Sequence, residues 1–178
     1  MNKVGTAEYT KGKITTHQQE KKMFGSVSEE IEVQVSANEA WQIYGTLRLL
    51  KIVQEELSDF IHKVEIVEGD GSVGTVIEIT FPPGTPGFTS YREKFTKIDN
   101  ENRVKEATAT EGGYLNLGFT LYRGRFEVIE KSENSCITKC TVEYEIKEEA
   151  AANVSMISTE ALMKVMEAVA NYLVKNKK

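Results

Sequence analysis

Residues 68–81 read EGDGSVGTVIEITF, and the fold turns on the seven residues after the last glycine. Gly69, Gly71 and Gly74 stand at the spacing G-x-G-x-x-G, which in a dinucleotide-binding turn opens a helix whose free N–H groups hold a pyrophosphate. Here the chain continues TVIEITF, where Thr75, Ile77, Ile79 and Phe81 alternate with Val76, Glu78 and Thr80. That period of two belongs to a half-buried strand. With no helix to supply a dipole and no Lys-Ser/Thr pair to make a P-loop, the three glycines are expected to form a tight hairpin loop.

The same periodicity extends in both directions. Upstream, residues 24–35 alternate with Val27, Glu29, Ile31, Val33 and Val35 on one side, a strand. Ser36-Ala-Asn-Glu39 then makes a capping box for a helix whose apolar face is Ala37, Ala40, Trp41 and Tyr44. Gly45 ends that helix, and a second short one is expected from Leu47 to Leu57. Strands are expected near 60–68, 73–81, 88–98, 103–110, 114–130 and 135–147, joined mostly by short turns that imply antiparallel neighbours. All three prolines fall in the FPPGTPGF loop, residues 81–88. From Glu148 onward there is neither Gly nor Pro, and Val154, Ile157, Ala161, Val165, Val169 and Tyr172 recur at helical spacing. One helix of about 27 residues, roughly 40 Å long, is expected there. Seven antiparallel strands and one long helix define an α+β layer, a curved sheet wrapped on the helix with an internal apolar cavity between them.

Composition narrows the function. The 178 residues suit one domain, residues 23–178, after a polar, non-periodic lead-in over residues 1–22 expected to be disordered. The net charge of −5 comes with no basic stripe, which disfavours nucleic acid. No apolar run reaches the length of a membrane span, and no signal-peptide core is evident, so a cytoplasmic location is expected. Cys136 and Cys140, four apart on one strand, lie about 13 Å from each other, too far for a disulfide or a shared metal. With only His17 and His62, a metal site or histidine triad has little material. Chemistry, if present, falls to carboxylates, lysine and tyrosine.

SYREKFTKI, residues 90–98, contains a misplaced charge. Tyr91, Glu93 and Phe95 point one way and Arg92, Lys94 and Thr96 the other, which puts Glu93 on the apolar face. A carboxylate there must be paired, hydrogen-bonded or protonated. On the next strand Lys105, Ala107 and Ala109 share a face. A three-residue turn at Asp99-Asn100-Glu101 would set Phe95 opposite Lys105 and Glu93 diagonal to it. The pair reads as a structural ion pair, as two charges left in water by a different register, or as an acid/base couple with Glu93 shifted up and Lys105 shifted down by desolvation. Tyr91 adds a phenol, or is simply a strand aromatic.

The runs EGDGSVGT, SYREKF, DNENRVKE, EGGYLNLG and SCITKCTVEYEIKEE resemble the plant pathogenesis-related class 10 family, that of the major birch pollen allergen. The resemblance spans about residues 24–174 and is strongest to the branch with norcoclaurine and norbelladine synthases. It implies a tunnel lined by a tyrosine, a glutamate, a lysine and an aspartate. The first three match Tyr91, Glu93 and Lys105 here, while the aspartate position aligns with Gly124. Phe95, Tyr114 and Tyr122 are expected to contact the ligand. The implied reaction condenses an arylethylamine with an aromatic aldehyde, followed in the norcoclaurine branch by ring closure. Gly124 is expected to weaken ring closure more than condensation. No cofactor is implied; the partners would be a small amine and aldehyde, with the protein a monomer or weak homodimer. The alternative is a non-catalytic carrier of phytohormones, flavonoids or other apolar metabolites.

Overall fold

The computed structural model describes residues 20–177 of the chain. Most of the expected lead-in, residues 1–19, lies outside the described residues. Strand β1 runs over Lys22–Val33 and is followed by helices α1 (Ala37–Tyr44) and α2 (Arg48–Glu56). Strands β2 (Lys63–Glu68), β3 (Val76–Thr80), β4 (Ser90–Asp99), β5 (Val104–Gly112), β6 (Phe119–Ser132) and β7 (Ser135–Lys147) come next, and helix α3 (Glu160–Lys175) closes the order. The strands form one seven-stranded sheet in the order β1-β7-β6-β5-β4-β3-β2, and every neighbouring pair is antiparallel. From β2 to β7 each strand pairs with the next in sequence, and β1 closes onto β7. No helix among the described residues is long and apolar enough to cross a membrane.

Local chemistry sets the element ends. The Ser36 backbone N–H donates to Glu39 Oε2 at 3.0 Å and Glu39 N–H to Ser36 Oγ at 3.2 Å, the reciprocal box that starts α1. The buried side of α1, with Ala40, Trp41, Ile43 and Tyr44, joins Val165, Met166 and Val169 of α3 and the buried Cys136, Cys140 and Val128 of the sheet in the main core. Both cysteines are free.

Two element boundaries differ from the expectation. The C-terminal helix does not begin at Glu148: Glu148–Met156 is 3-10 and the α-helix starts only at Glu160. The Ser155 and Ser158 hydroxyls compete for the local backbone there, and Asn153 ties the segment to the Gly113–Leu117 turn. Asn153 Nδ2 donates to Leu117 O at 2.8 Å, Ser155 Oγ to Ala152 O at 3.0 Å, and Glu160 N–H to Ser158 Oγ at 3.0 Å. The α3 axis is therefore about 24 Å long rather than 40 Å. Likewise Gly113–Leu117, expected to open a strand, is a 3-10 turn between Gly112 at φ 72° and Gly118 at φ 92°, so Tyr114 approaches the sheet from a turn.

The glycine loop is a hairpin connection, and β3 begins directly after it at Val76. Gly69, Gly71 and Gly74 have φ of 97°, 100° and 98°, a region other residues adopt only under strain. Gly71 N–H donates to the buried Thr75 Oγ1 at 2.9 Å, and Gly74 N–H and Phe95 N–H donate at 2.8 Å to Phe95 O and Thr75 O respectively. The loop thus clamps β4 at Phe95. A Cβ on Gly71 would lie 2.7 Å from Leu47 Cγ, ahead of α2, whereas one on Gly74 meets nothing within 4 Å. Gly74→Ala is expected to cost about 1–2 kcal/mol from strain alone, and Gly71→Ala at least about 1 kcal/mol more because Leu47 must also move. Urea midpoints of the two variants check this ranking.

Candidate functional site

Strand β4 carries the site on alternate residues. Arg92 points outward, where its Nε meets Glu78 Oε2 at 2.9 Å and its Nη1 meets Glu111 Oε2 at 3.0 Å. By parity Tyr91, Glu93 and Phe95 face the concave side, and Glu93 and Phe95 sit opposite Ala109 and Ala107 of β5. Lys105 is on the same face, yet its register is not the expected one. It lies opposite Ile98, because the β4–β5 turn is four residues, 100–103, and the register slips between Phe95 and Lys97. Asp99 holds that turn by accepting from Asn102 N and Nδ2, both at 2.9 Å, and Arg103 takes φ 52°. At Lys105 the pairing has moved by three residues, but the one-residue slip before Lys97 leaves a shift of two beside Phe95, which faces Ala107 in place of Lys105. An even shift preserves side-chain parity, so the expected face survives the register error.

The consequence is a separated pair. Lys105 is 4% exposed and its Nζ has no hydrogen-bond partner among the described residues. It lies 4.0 Å from the centroid of the Phe95 ring, a cation–π contact in place of an ion pair. Glu93 Oε2 accepts from Tyr91 Oη at 3.2 Å. Desolvation raises the Glu93 carboxyl to about 7, opposed by the Tyr91 hydrogen bond and by the charge of Lys105. Desolvation lowers Lys105 to about 8, opposed by Glu93. Glu93 keeps some accessible surface and lines the cavity, and desolvation outweighs the two opposing effects.

That cavity has two lobes between the sheet, α2 and α3. A lobe of about 70 Å³ is lined by Glu93, Phe95, Lys105, Tyr122, Gly124 and their neighbours. A lobe of about 100 Å³ extends toward Val53, Ile61, Val64, Ile79, Phe81 and Val165. Tyr91, Glu93, Phe126, Leu49, Leu50, Ile77 and Leu162 border both. Gly124, on β6 opposite Ala107 and Val142, leaves room: a Cβ there would touch only Leu162, at 3.7 Å.

Phenols surround the carboxylate. Tyr114 stacks on Tyr122 at 3.7 Å between centroids and 10° between planes, and Tyr91 stands edge-on to both at 6.0 and 6.3 Å. Phe88 of the proline loop packs edge-on against Tyr91 and Tyr114. Burial pushes all three tyrosine hydroxyls up, Tyr91 and Tyr122 well above the ordinary range, so they stay protonated donors at neutral pH. The expected site residues Tyr91, Glu93, Phe95, Lys105, Tyr122 and Gly124 therefore converge on one lobe. Tyr114 buttresses it from behind Tyr122, and the three loop glycines act through β4. The helix side of the cavity, with Leu49, Leu50 and Leu162, escapes the sequence reading; only the packing of α2 and α3 over the sheet assigns it. No group of three His, Cys, Asp or Glu that could hold a metal occurs among the described residues.

An antiparallel sheet folded over a helix, enclosing a cavity with one carboxylic acid, one amine and several phenols, defines a small-molecule pocket protein. The chain belongs to the pathogenesis-related protein Bet v 1 family, whose model matches residues 22–176. It is 48% identical over 155 residues to norbelladine synthase from Narcissus pseudonarcissus, across 87% of this chain and 95% of that protein. It is 38% identical over 150 residues to S-norcoclaurine synthase 2 from Papaver somniferum, across 83% of this chain and 64% of that one. The structure of norcoclaurine synthase from Thalictrum flavum in complex with dopamine and hydroxybenzaldehyde superposes with a TM-score of 0.81 at 32% identity, covering 99% of each chain.

The raised Glu93 pKa has a thermodynamic signature. The folded state holds its proton more tightly than the unfolded chain, so the stability contribution is full below about pH 4.5 and is lost as pH rises through about 7. The loss is about 3 kcal/mol. Lys105, shifted down, loses its contribution as pH falls through about 8 and is flat below 7. Urea titrations at pH 5 and 7.5 should therefore show a decline in the parent protein that Glu93→Gln abolishes; the same decline in both would mean that Glu93 is hydrated.

Proposed function

We propose that this protein condenses an arylethylamine with an aromatic aldehyde in the Glu93–Lys105 lobe, forming an imine with loss of water. The observation that carries this reading is a carboxyl group and an amine without a hydrogen-bond partner among the described residues, both lining the same cavity lobe, where desolvation raises the first to about 7 and lowers the second to about 8. Condensation to the imine requires two protons to leave the attacking amine nitrogen in turn and two to reach the departing oxygen. Ionised Glu93 accepts the first; protonated Lys105 donates to the carbonyl or carbinolamine oxygen. The Tyr91 hydroxyl orients Glu93 and the substrate at the junction of the two lobes. Similarity to norbelladine and norcoclaurine synthases over most of the chain supports the same substrate class. Ring closure would need further proton transfer at the ring carbon, which Glu93 alone would serve, because Gly124 offers no second carboxylate.

The test is product formation from dopamine or tyramine with a panel of aldehydes, imines being read after borohydride reduction. The double variant Glu93→Ala/Lys105→Ala should be slower by about a hundredfold or more. Equal rates would sink the enzymatic reading, and tight binding of apolar metabolites by both proteins would then make it a carrier, a use suited to the apolar second lobe.

The pH dependence arises from the same two groups. Ionised Glu93 and protonated Lys105 coexist only in a narrow window, so kcat/KM should rise through about 7 and fall through about 8. Because the Tyr91 hydrogen bond lowers the Glu93 pKa, Tyr91→Phe should move the rising limb to higher pH. Gly124→Asp is expected to fold and to increase the share of ring-closed product, measured by chromatography; an unchanged share would show that the missing carboxylate does not limit cyclisation.

A further inference from the structure

As a proton donor, Lys105 works in its protonated form. Its neutral form is a nucleophile, and its surroundings suit that use. A lysine buried for structural reasons is ordinarily tied into an ion pair, but the Lys105 Nζ has no hydrogen-bond partner among the described residues. The Phe95 ring, 4.0 Å away at its centroid, fixes where the amine sits without engaging it in a hydrogen bond. The amine faces a lobe to which β4 contributes Tyr91 and Glu93, β6 contributes Tyr122, and α2 and α3 contribute only Leu49, Leu50 and Leu162. No second cation is among those lining residues. With desolvation lowering its pKa to about 8, about a tenth of the amine is neutral near pH 7, against well under a thousandth for a lysine in water.

We propose that Lys105 captures the aldehyde covalently, as an iminium on Nζ, and passes it to the incoming amine. The proposal rests on the amine–aldehyde reading and deepens it at the same site, with neutral Lys105 as nucleophile in place of proton donor and Glu93 as the acid. The Nζ lone pair bonds to the carbonyl carbon, the C=O π pair moves to oxygen, and that oxygen takes up the proton which nitrogen gives up, by way of Glu93. A second proton, from the Glu93 carboxyl, carries the oxygen off as water while the nitrogen lone pair forms C=N. The substrate amine then adds to the same carbon and yields a proton to Nζ. The C–Nζ bond breaks, Lys105 leaves as a neutral amine, and the product iminium returns one proton to Glu93. Nothing is oxidised or reduced, and the sum is the same imine plus one water.

The experiment incubates the protein with hydroxybenzaldehyde and cyanoborohydride, without any amine substrate, and maps the peptides by mass spectrometry. An adduct of the aldehyde mass less one oxygen is expected on Lys105, forming about tenfold or more faster than on Lys51, whose side chain is 75% exposed. Labelling of Lys105 no faster than Lys51 overturns the proposal. Lys105→Met should reduce fast labelling to the level of surface lysines; if that variant does not fold, the parent peptide map still decides. Turnover of dopamine with the aldehyde is measured in parallel. Product without a Lys105 adduct overturns covalent capture and leaves the condensation standing. An adduct without product upholds capture and overturns the condensation, and absence of both overturns the two together.

Discussion

The structure depends on a space that its two layers cannot fill. A seven-stranded sheet offers more inward-facing surface than α3, sixteen residues long, and the two short helices can cover. One end closes as a conventional core around Tyr44, Met166 and Val169. At the other, the inward side chains of β4, β5 and β6 face a gap. Register shifts between Arg92 and Glu93 and between Phe95 and Lys97 add the local bending that lets the sheet curl around it.

The gap is what gives the ionisable groups their character. In water Glu93 and Lys105 would both be charged at neutral pH and poor proton-transfer catalysts. Desolvation drives the two pKa values toward each other, to about 7 and about 8, and their separation leaves each available to a third molecule. A tight ion pair would have held Glu93 low and Lys105 high and satisfied both. The phenols complete the environment by supplying donors that stay protonated, one of which, Tyr91, bonds the carboxylate.

Much of this was legible in the residues. Alternation in SYREKF assigned Glu93 to the concave face, and the strand after the glycines excluded a nucleotide turn. The capping box at Ser36 and the number and order of the strands were equally plain. What failed were inferences that needed knowledge of competing local bonds. The Asp99–Asn102 turn and the slip beside Thr96 moved the backbone of Lys105 from its expected place opposite Phe95 to one opposite Ile98. Ser155 and Ser158 bonded the local backbone, and Asn153 the distant Leu117, along a helical pattern whose apolar spacing alone suggested continuity. The lining contributed by Leu49, Leu50 and Leu162 carried no signal, since leucine on an amphipathic helix reads the same whether it faces a cavity or a packed core.

The sequence by itself therefore determined the face on which each side chain stands, because the period of a strand is set by backbone stereochemistry and survives any even shift of register. Gly69, Gly71 and Gly74 likewise declared a tight loop through the one property that their lack of a Cβ confers. Only the tertiary structure decided distance: that Lys105 rests on Phe95 rather than against Glu93, and that the space before them is open. Those facts depend on how several elements meet at once, and the desolvation that tunes both groups comes from neighbours far away in the chain.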